Sequence, residues 1–273
     1  MIRLATEGGW WLVTHPDHAR LAGAFAERWG NAMFARPEPR RQVMLGIRTH
    51  DDGWAARDAA PQITKQGLPS AFGVELVGKY SAFEEINLAD YLAVRERAVA
   101  VVAEVDPYAA LLVSLHTYNL LTERADRSTI AAEQLPLLDA FLERQRLFQK
   151  ELHVRAAAAD GVTSEDVSWS RIEEHFRLLQ ATDNLSLLAC VDYRKPASLL
   201  HALPLVGGGT SAVTVESIGE RRFRLSPYPF EEAELTIGFP ARRVVGRSFG
   251  SVAELQAVFA AAPVEELTVT VCG

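Results

Sequence analysis

The chain has 273 residues, of which 48% are hydrophobic and 23% are charged. These proportions are ordinary for a globular protein and exclude a disordered, collagen-like or coiled-coil chain. Acidic residues outnumber basic ones by 35 to 28, and the net charge of −7 argues against a nucleic-acid binder that depends on phosphate contacts. Two cysteines, Cys190 and Cys272, are too few for a disulfide framework, and their spacing matches no zinc site.

The N-terminal segment does not have the pattern of a secretory signal, which joins a basic region to an uninterrupted apolar stretch and a small-residue cleavage site. No run of apolar residues reaches the length of a membrane span, about 18 residues. We therefore expect a soluble, cytoplasmic protein that has no contact with a membrane.

Hydrophobic periodicity predicts a helical body. After a short strand at residues 9–14, apolar residues spaced three and four apart predict helices over 17–29, 41–49, 88–105, 108–124, 134–158 and 168–191. Between residues 54 and 85, prolines and glycines occur without sustained periodicity. This pattern predicts a long irregular segment, of the kind that forms lids and binding loops.

The pattern changes after Lys195 and Pro196. Short alternating or β-branched runs, separated by glycines and prolines, predict strands at 212–216, 222–225, 234–237, 243–245 and 267–271. One helix is predicted at 251–261, where Ser251 and Glu254 match a capping box. We therefore predict a mainly α fold, with a helical domain at 1–200 and a small β-rich (α+β) C-terminal subdomain at 201–273.

Ionisable side chains occur at four places within otherwise apolar helical segments. His18 lies in the first turn of the first helix, and His50 with Asp51 ends the second. His116 lies within LLVSLHTYNLL, and Asp183 lies within LLQATDNLSLLAC. Burying such groups is costly unless they are paired or bound to something. A divalent metal held by imidazoles and carboxylates from several helices meets that need.

This pattern resembles the HD-domain superfamily of metal-dependent phosphohydrolases and related oxygenases. In that superfamily a histidine opens one helix, a His-Asp pair ends the next, and an aspartate lies on a late helix. HARLAGAFA, starting at His18, resembles the first element, and VMLGIRTHDDGW resembles the second, with His50, Asp51 and Gly53 matching His-Asp-x-Gly. Asp183 is then the closing ligand. The resemblance covers about residues 10–195 and implies an HD-like helical bundle.

A second resemblance covers nearly the whole chain. PDHARLAG and HDDGW are similar to an uncharacterised bacterial family of unknown function, which implies no activity.

The ligand set has alternatives at two positions. His15 is an alternative to His18 as the first ligand. Dinuclear oxygenases of the superfamily carry two further histidines between the His-Asp pair and the last aspartate. His116 matches one of these, and His153 or His175 is the candidate for the other. Apart from that role, His153, His175 and His201 are interpreted as structural or solvated residues.

The resemblance implies a divalent metal ion (Fe, Mn, Ni or Zn) that is bound by His18, His50, Asp51, His116 and Asp183. Such an ion activates water and polarises a substrate oxygen. The first hypothesis is therefore a metal-dependent hydrolase that acts on a small phosphate ester or a related anion.

Neighbours of the His-Asp pair are candidates for the remaining roles. Asp52 is a candidate catalytic base, and His116 is a candidate second-metal ligand or substrate contact. Arg48 and Arg57 are candidate contacts to a phosphate, and Trp54 is a candidate wall of the substrate pocket. The assignments of Asp52, Arg48, Arg57 and Trp54 depend on closeness to the pair in the sequence.

Two alternative functions use the same residues. One is a non-haem diiron oxygenase, and the other is a non-enzymatic protein that binds a ligand or partner and has a vestigial metal site. For the enzyme we expect a small-molecule substrate as partner, with neither nucleic acid nor membrane. A homodimer stays open as an alternative to a monomer.

Overall fold

The computed structural model describes residues 1–79 and 87–273. The helices in these ranges are α1 (His15–Arg28), α2 (Arg40–Thr49), α3 (Ala55–Asp58), α4 (Leu88–Val105), α5 (Pro107–Thr122), α6 (Leu135–Ala157), α7 (Trp169–Cys190) and α8 (Val252–Ala261). The strands are β1 (Ile2–Thr6), β2 (Gly9–Val13), β3 (Ala197–Ser198), β4 (Leu203–Pro204), β5 (Thr210–Ser211), β6 (Thr214–Gly219), β7 (Arg222–Ser226), β8 (Glu234–Val245) and β9 (Val264–Cys272).

Seven strands form one sheet in the order β1-β2-β8-β9-β7-β6-β3, and β4 pairs with β5 in a separate two-stranded ladder. The long strands β8 and β9 run antiparallel at the centre, with Phe239 opposite Leu267. β7 joins the other edge of β9 in parallel. Both ends of the chain therefore contribute to a single sheet.

The prediction of a mainly α fold, an HD-like helical bundle with a small β-rich C-terminal subdomain, is wrong. The fold is mixed α/β, because β1 and β2 pair with each other and β2 then pairs with β8. Gly9 lies opposite Val245, so this pairing joins residues 236 positions apart in the sequence. Local hydrophobic periodicity does not predict a pairing between residues so far apart. The division of the chain into domains at residue 200 stays a prediction.

β8 is longer than expected. Gly238 and Pro240 interrupt its pattern, and the sequence therefore predicted two short strands in its place. β2 pairs with β8 only over residues 242–245, so Pro240 lies where β9 is the neighbour. A residue without a backbone N–H is tolerated where one edge of a strand is unpaired. The interruption in the sequence is therefore compatible with one continuous strand.

The helices and the sheet share one hydrophobic core. Phe25 of α1 and Trp29, which follows the end of that helix, belong to the same buried cluster as Phe223, Phe239 and Val269 of the sheet. The predicted helices are present with their ends shifted by at most two residues, because each has a buried apolar face with helical spacing. The core therefore fixes the helices, which carry the candidate ligands, against the sheet.

The segment predicted to be irregular is largely so in the part that the structure describes. Between residues 54 and 79, regular structure is limited to α3 and a single 3₁₀ turn at Val74–Leu76. Residues 80–85 of this prediction lie outside the described residues. Across the described ranges, no helix is both long enough and apolar enough to cross a membrane.

A buried tyrosine–histidine pair ties α5 to α7. The Tyr108 hydroxyl lies 2.7 Å from Nδ1 of His175 and donates to the carbonyl oxygen of Asp166 at 3.1 Å. Burial lowers the pKa of His175 to about 3, so this imidazole is neutral in the folded chain at pH 7. His175 therefore serves the packing of two helices.

We expect His175 to make folding sensitive to acid. Its folded-state pKa of about 3 lies below the ordinary value of 6.5, so the unfolded chain binds the proton more readily. Stability is therefore lost as the pH falls from about 6.5 towards 3. In His175→Gln, which keeps an N–H donor, the dependence of the unfolding free energy on pH should weaken by up to about 1.4 kcal/mol per pH unit.

Urea denaturation at a series of pH values checks this expectation. Above pH 7 the histidine is neutral in both states, so the wild type and His175→Gln should differ there only by a constant. Identical pH dependence of the two proteins between pH 4 and 6 would contradict the prediction.

Candidate metal site

The start of α1 positions His18. Thr14 caps the helix by accepting a hydrogen bond from the backbone N–H of Asp17, and Pro16 occupies the first turn, where its missing N–H costs nothing. His18 follows on the inner face and is 1% exposed. Its Nδ1 lies 3.0 Å from the hydroxyl of Ser186 on α7.

The end of α2 positions His50 and Asp51. Thr49 is the last helical residue, and the chain turns into a short 3₁₀ segment at Asp52–Trp54. Gly53 allows this turn to pack closely on α4, because a Cβ atom there would overlap the carbonyl oxygen of Val94. The glycine of the His-Asp-x-Gly motif therefore serves the close contact between the turn and α4.

Five buried side chains from α1, α5, α7 and the turn after α2 converge in the interior. Two groups of three have ligand atoms within 4.8 Å of one another, and these groups are His18, His50 and Asp51, and His50, His116 and Asp183. All five side chains are buried, and Asp183 is the most exposed of them at 7%. His50 is common to both groups.

The hydrogen bonds of His50 and His18 show which nitrogen of each ring faces a carboxylate. Nδ1–H of His50 donates to the carbonyl oxygen of Ile47 at 2.7 Å, so Nε2 of the neutral ring carries a lone pair. That lone pair faces Oδ1 of Asp183 at 3.3 Å. Nε2 of His50 has no hydrogen-bond partner among the described residues.

His18 repeats the same arrangement. The Ser186 hydroxyl donates to the carbonyl oxygen of Asp183 at 2.8 Å, so it accepts the Nδ1–H of His18. Nε2 of His18 lies 3.1 Å from Oδ2 of Asp51. At both contacts a cation, either a proton or a metal ion, belongs between the imidazole nitrogen and the carboxylate oxygen. The donor set therefore fits a divalent metal.

An arginine that the sequence analysis missed holds the other oxygen of Asp51. Nη1 of Arg95 donates to Oδ1 of Asp51 at 2.5 Å, and Nε donates to the hydroxyl of Tyr91 at 3.2 Å. The guanidinium also lies 5.3 Å from the ring centres of both Trp54 and Tyr91. Arg95 is buried, so it fixes the orientation of Asp51 towards His18.

Comparisons with known proteins give one match. A family model described as "Protein of unknown function (DUF3891)" matches residues 1–245. The chain belongs to this family. The resemblance to an uncharacterised family is thus confirmed, and the match extends over helices α1 to α7 and over every strand of the seven-stranded sheet except β9. Neither the curated proteins nor the solved structures contain a match to the chain.

The electrostatics of the DUF3891 chain follow from this geometry. Burial alone would lower the pKa of His50, but the carboxylates of Asp51 and Asp183 outweigh it and raise the pKa to about 9. Burial would raise the pKa of Asp51, yet Arg95 and His50 hold it well below its usual range. At His116, burial together with the positive charges of His50 and Arg95 outweighs the attraction of Asp183 and lowers the pKa to about 3. Without a metal, the site therefore places a proton on His50, between the two carboxylates.

His15, the alternative first ligand, is paired with a different acid. Its backbone N–H donates to Oδ2 of Asp58 at 2.5 Å, and its Nδ1 lies 3.0 Å from the same oxygen. Its ring stacks on Trp54 with a centroid distance of 4.5 Å. Neither His15 nor Asp58 is in the two candidate ligand groups. Asp58 was not predicted, because its partner lies 43 residues away and no spacing signal connects them.

Three of the predicted auxiliary residues lie outside the cluster. Asp52 accepts hydrogen bonds from the guanidinium of Arg20, and Arg48 forms an exposed ion pair with Glu27. Arg57 lies over the ring of Trp54, at 6.0 Å. Their proposed roles as base and phosphate contacts stay predictions. Trp54 itself is buried beside His15 and Arg95, next to the ligand set.

The histidines considered for a second metal are also engaged elsewhere. Nε2 of His153 lies 2.7 Å from the carbonyl oxygen of Val167, and His175 pairs with Tyr108. Neither histidine is in the candidate ligand groups found among the described residues.

We expect Arg95 to be essential to the stability of the turn that carries Asp51. Arg95→Met leaves a buried carboxylate without its cation, and breaking a buried pair in this way costs about 3–5 kcal/mol. Arg97→Met changes an exposed arginine on the same helix and should cost much less.

Chemical denaturation in the presence of a chelator measures both variants. The double variant Arg95→Met/Asp51→Asn should recover part of the loss, because it removes the unpaired charge. If Arg95→Met is no less stable than Arg97→Met, the pair does not carry the role assigned to it.

Proposed function

We propose that this DUF3891 chain is a metal-dependent hydrolase that acts on a small phosphate ester or a related anion. One observation carries the proposal: three buried histidines and two buried aspartates form two groups of three that share His50, and the ligand atoms of each group lie within 4.8 Å of one another. The order of the ligands along the chain, which resembles that of the HD-domain superfamily, supports the same reading. When bound, the divalent ion supplies a Lewis acid and activates water for attack on phosphorus.

Neighbouring residues would hold the candidate metal ligands in position. The carbonyl oxygen of Ile47 fixes the tautomer of His50 and directs Nε2 inward, as outer partners of ligating histidines usually do. Arg95 holds Asp51, and Ser186 holds His18. His116 is neutral at pH 7, so its imidazole is ready to bind an ion without first losing a proton.

The sharing of His50 supports a single ion. Nδ1 of His50 is bonded to Ile47, so Nε2 is the atom that serves both ligand groups. One imidazole lone pair binds one ion, and His153 and His175 are bonded to other partners. These observations favour a mononuclear hydrolase over the diiron oxygenase. Asp52 has no part in this proposal, because its carboxylate is paired with Arg20.

Metal binding is the first test. Protein purified without chelator should contain about one divalent ion per chain by elemental analysis. Asp183→Asn, which keeps the shape of the side chain, should bind Mn²⁺ or Zn²⁺ more weakly by more than the roughly 10–100-fold cost of losing an outer-shell partner. Asp52→Asn, a change at a neighbouring acid outside the cluster, is the matched control and should keep the full metal content. Full metal content in Asp183→Asn would sink the proposed site.

Turnover is the second test. The metal-loaded wild type should hydrolyse a general phosphate ester such as p-nitrophenyl phosphate, and the activity should disappear with chelator and in His50→Gln, since both remove the ion. Two irons per chain with visible absorption and oxygen consumption would instead favour the oxygenase. A chain that binds no metal at all would leave the non-enzymatic ligand-binding protein as the better hypothesis.

A further inference from the structure

The C-terminal half of α5 has a partly exposed face, although the rest of this helix is buried. Leu115, Asn119 and Thr122 have intermediate burial, whereas the residues from Tyr108 to Ser114 are all buried. The spacing of four and three places these residues on one side of the helix.

α7 presents a matching series. Glu173 is exposed and Arg177 and Asn184 have intermediate burial, and together with Gln180 they recur at intervals of four, three and four residues. Gln180 is the buried member of the series, at 1% exposure. These side chains therefore follow one side of α7, next to Asp183.

Two amides join the two faces beside the candidate metal ligands. Nε2 of Gln180 donates to Oδ1 of Asn119 at 2.8 Å. Asn119 follows His116 by one turn of α5, and Gln180 precedes Asp183 by one turn of α7. The amide pair therefore borders the ligand cluster, on the side of Asp183, its most exposed member.

His201, in the loop after α7, contacts the Gln180 side of this amide pair. Nε2–H of His201 donates to Oε1 of Gln180, with 2.5 Å between the heavy atoms. His201 has a φ of +66°, which is uncommon for a residue other than glycine. Its ring lies 5.9 Å from that of Phe176. His201 thus contacts Gln180 while its own backbone adopts an energetically unfavourable conformation. Such conformations are frequent at binding sites.

Cationic side chains lie near His201 and the amide pair. Burial lowers the pKa of His201, and the guanidinium groups of Arg177 and Arg124 lower it further. Arg177 is paired with Glu173. Arg124 is half-buried and forms no ion pair with any acid in the part of the chain that the structure describes. Oδ1 of Asn184 is buried and likewise unpartnered within the described residues.

We propose that Asn119, Gln180, Asn184, His201, Arg124 and Arg177 form the substrate-binding groove, through which an anionic substrate reaches Asp183 and the metal. This inference rests on the proposed function and names its substrate contacts. Amide groups and half-buried guanidinium groups are the donors that bind phosphate oxygens. The phosphate contacts are thus placed on α5, α7 and the loop at residue 201, away from Arg48 and Arg57.

Calorimetric titration of inorganic phosphate into the Mn²⁺-loaded protein tests the groove. Arg124→Gln should raise the dissociation constant for phosphate about tenfold or more, since a hydrogen bond to a charged group is lost. Gln180→Leu should weaken phosphate binding as well, because it removes the amide bridge. Arg127→Gln, a change at an exposed arginine that pairs with Asp139, is the matched control and should leave phosphate binding unchanged. Mn²⁺ affinity should be unchanged in Arg124→Gln and Arg127→Gln.

The outcomes separate the groove from the metal site. Phosphate affinity that is unchanged in both Arg124→Gln and Gln180→Leu, but lost in Asp183→Asn, overturns the groove and leaves the proposed function standing. A parallel loss of Mn²⁺ and phosphate affinity in Arg124→Gln also overturns it, because the residue would then support the ligand cluster only. Absence of phosphate binding to the Mn²⁺-loaded wild type contradicts both proposals.

Discussion

Two imidazole nitrogens that face two carboxylate oxygens are the constraint around which the helical part of this protein is organised. The other nitrogen of each ring is bonded to Ile47 or Ser186. Such an arrangement is unfavourable in a dry interior unless a cation compensates it. The fold nevertheless holds it, with ligand atoms within 4.8 Å of one another in each of two groups of three residues. The cost of this convergence is the strongest argument that the site binds a cation.

The convergence depends on close helix packing. Gly53 lets the turn after α2 approach α4, and Gly46 lets α2 approach α5, where a Cβ atom would lie 3.1 Å from the carbonyl oxygen of Ala109. Both glycines flank the His-Asp pair in the sequence, so the motif specifies the ligands and also their distance from the neighbouring helices. Arg95 of α4 then neutralises Asp51 through a buried hydrogen bond.

The helices and the convergence of the five ligands were within reach of sequence reasoning, because helical periodicity is local and ionisable residues in apolar helices are conspicuous. The sheet was not, because β2 and β8 are separated by most of the chain. Arg95 and Asp58 were missed for the same reason: their acidic and imidazole partners lie 44 and 43 residues away. Arg48 was favoured for its closeness to His50, yet residues two apart on a helix point in different directions, and its partner is Glu27.

The charges around the cluster are distributed unequally, and this bears on how a substrate approaches. On the side of Asp51, the buried Arg95 is paired with the Asp51 carboxylate, and His15 is paired with Asp58. On the side of Asp183, the donors are amides, a strained histidine and Arg124, which has no ion pair among the described residues. A charged group that is already paired gains little interaction energy from a substrate anion, whereas an unpaired group gains much more. The asymmetry therefore supports the proposal that the α4 side positions the candidate ligands and that the substrate is recognised between α5 and α7.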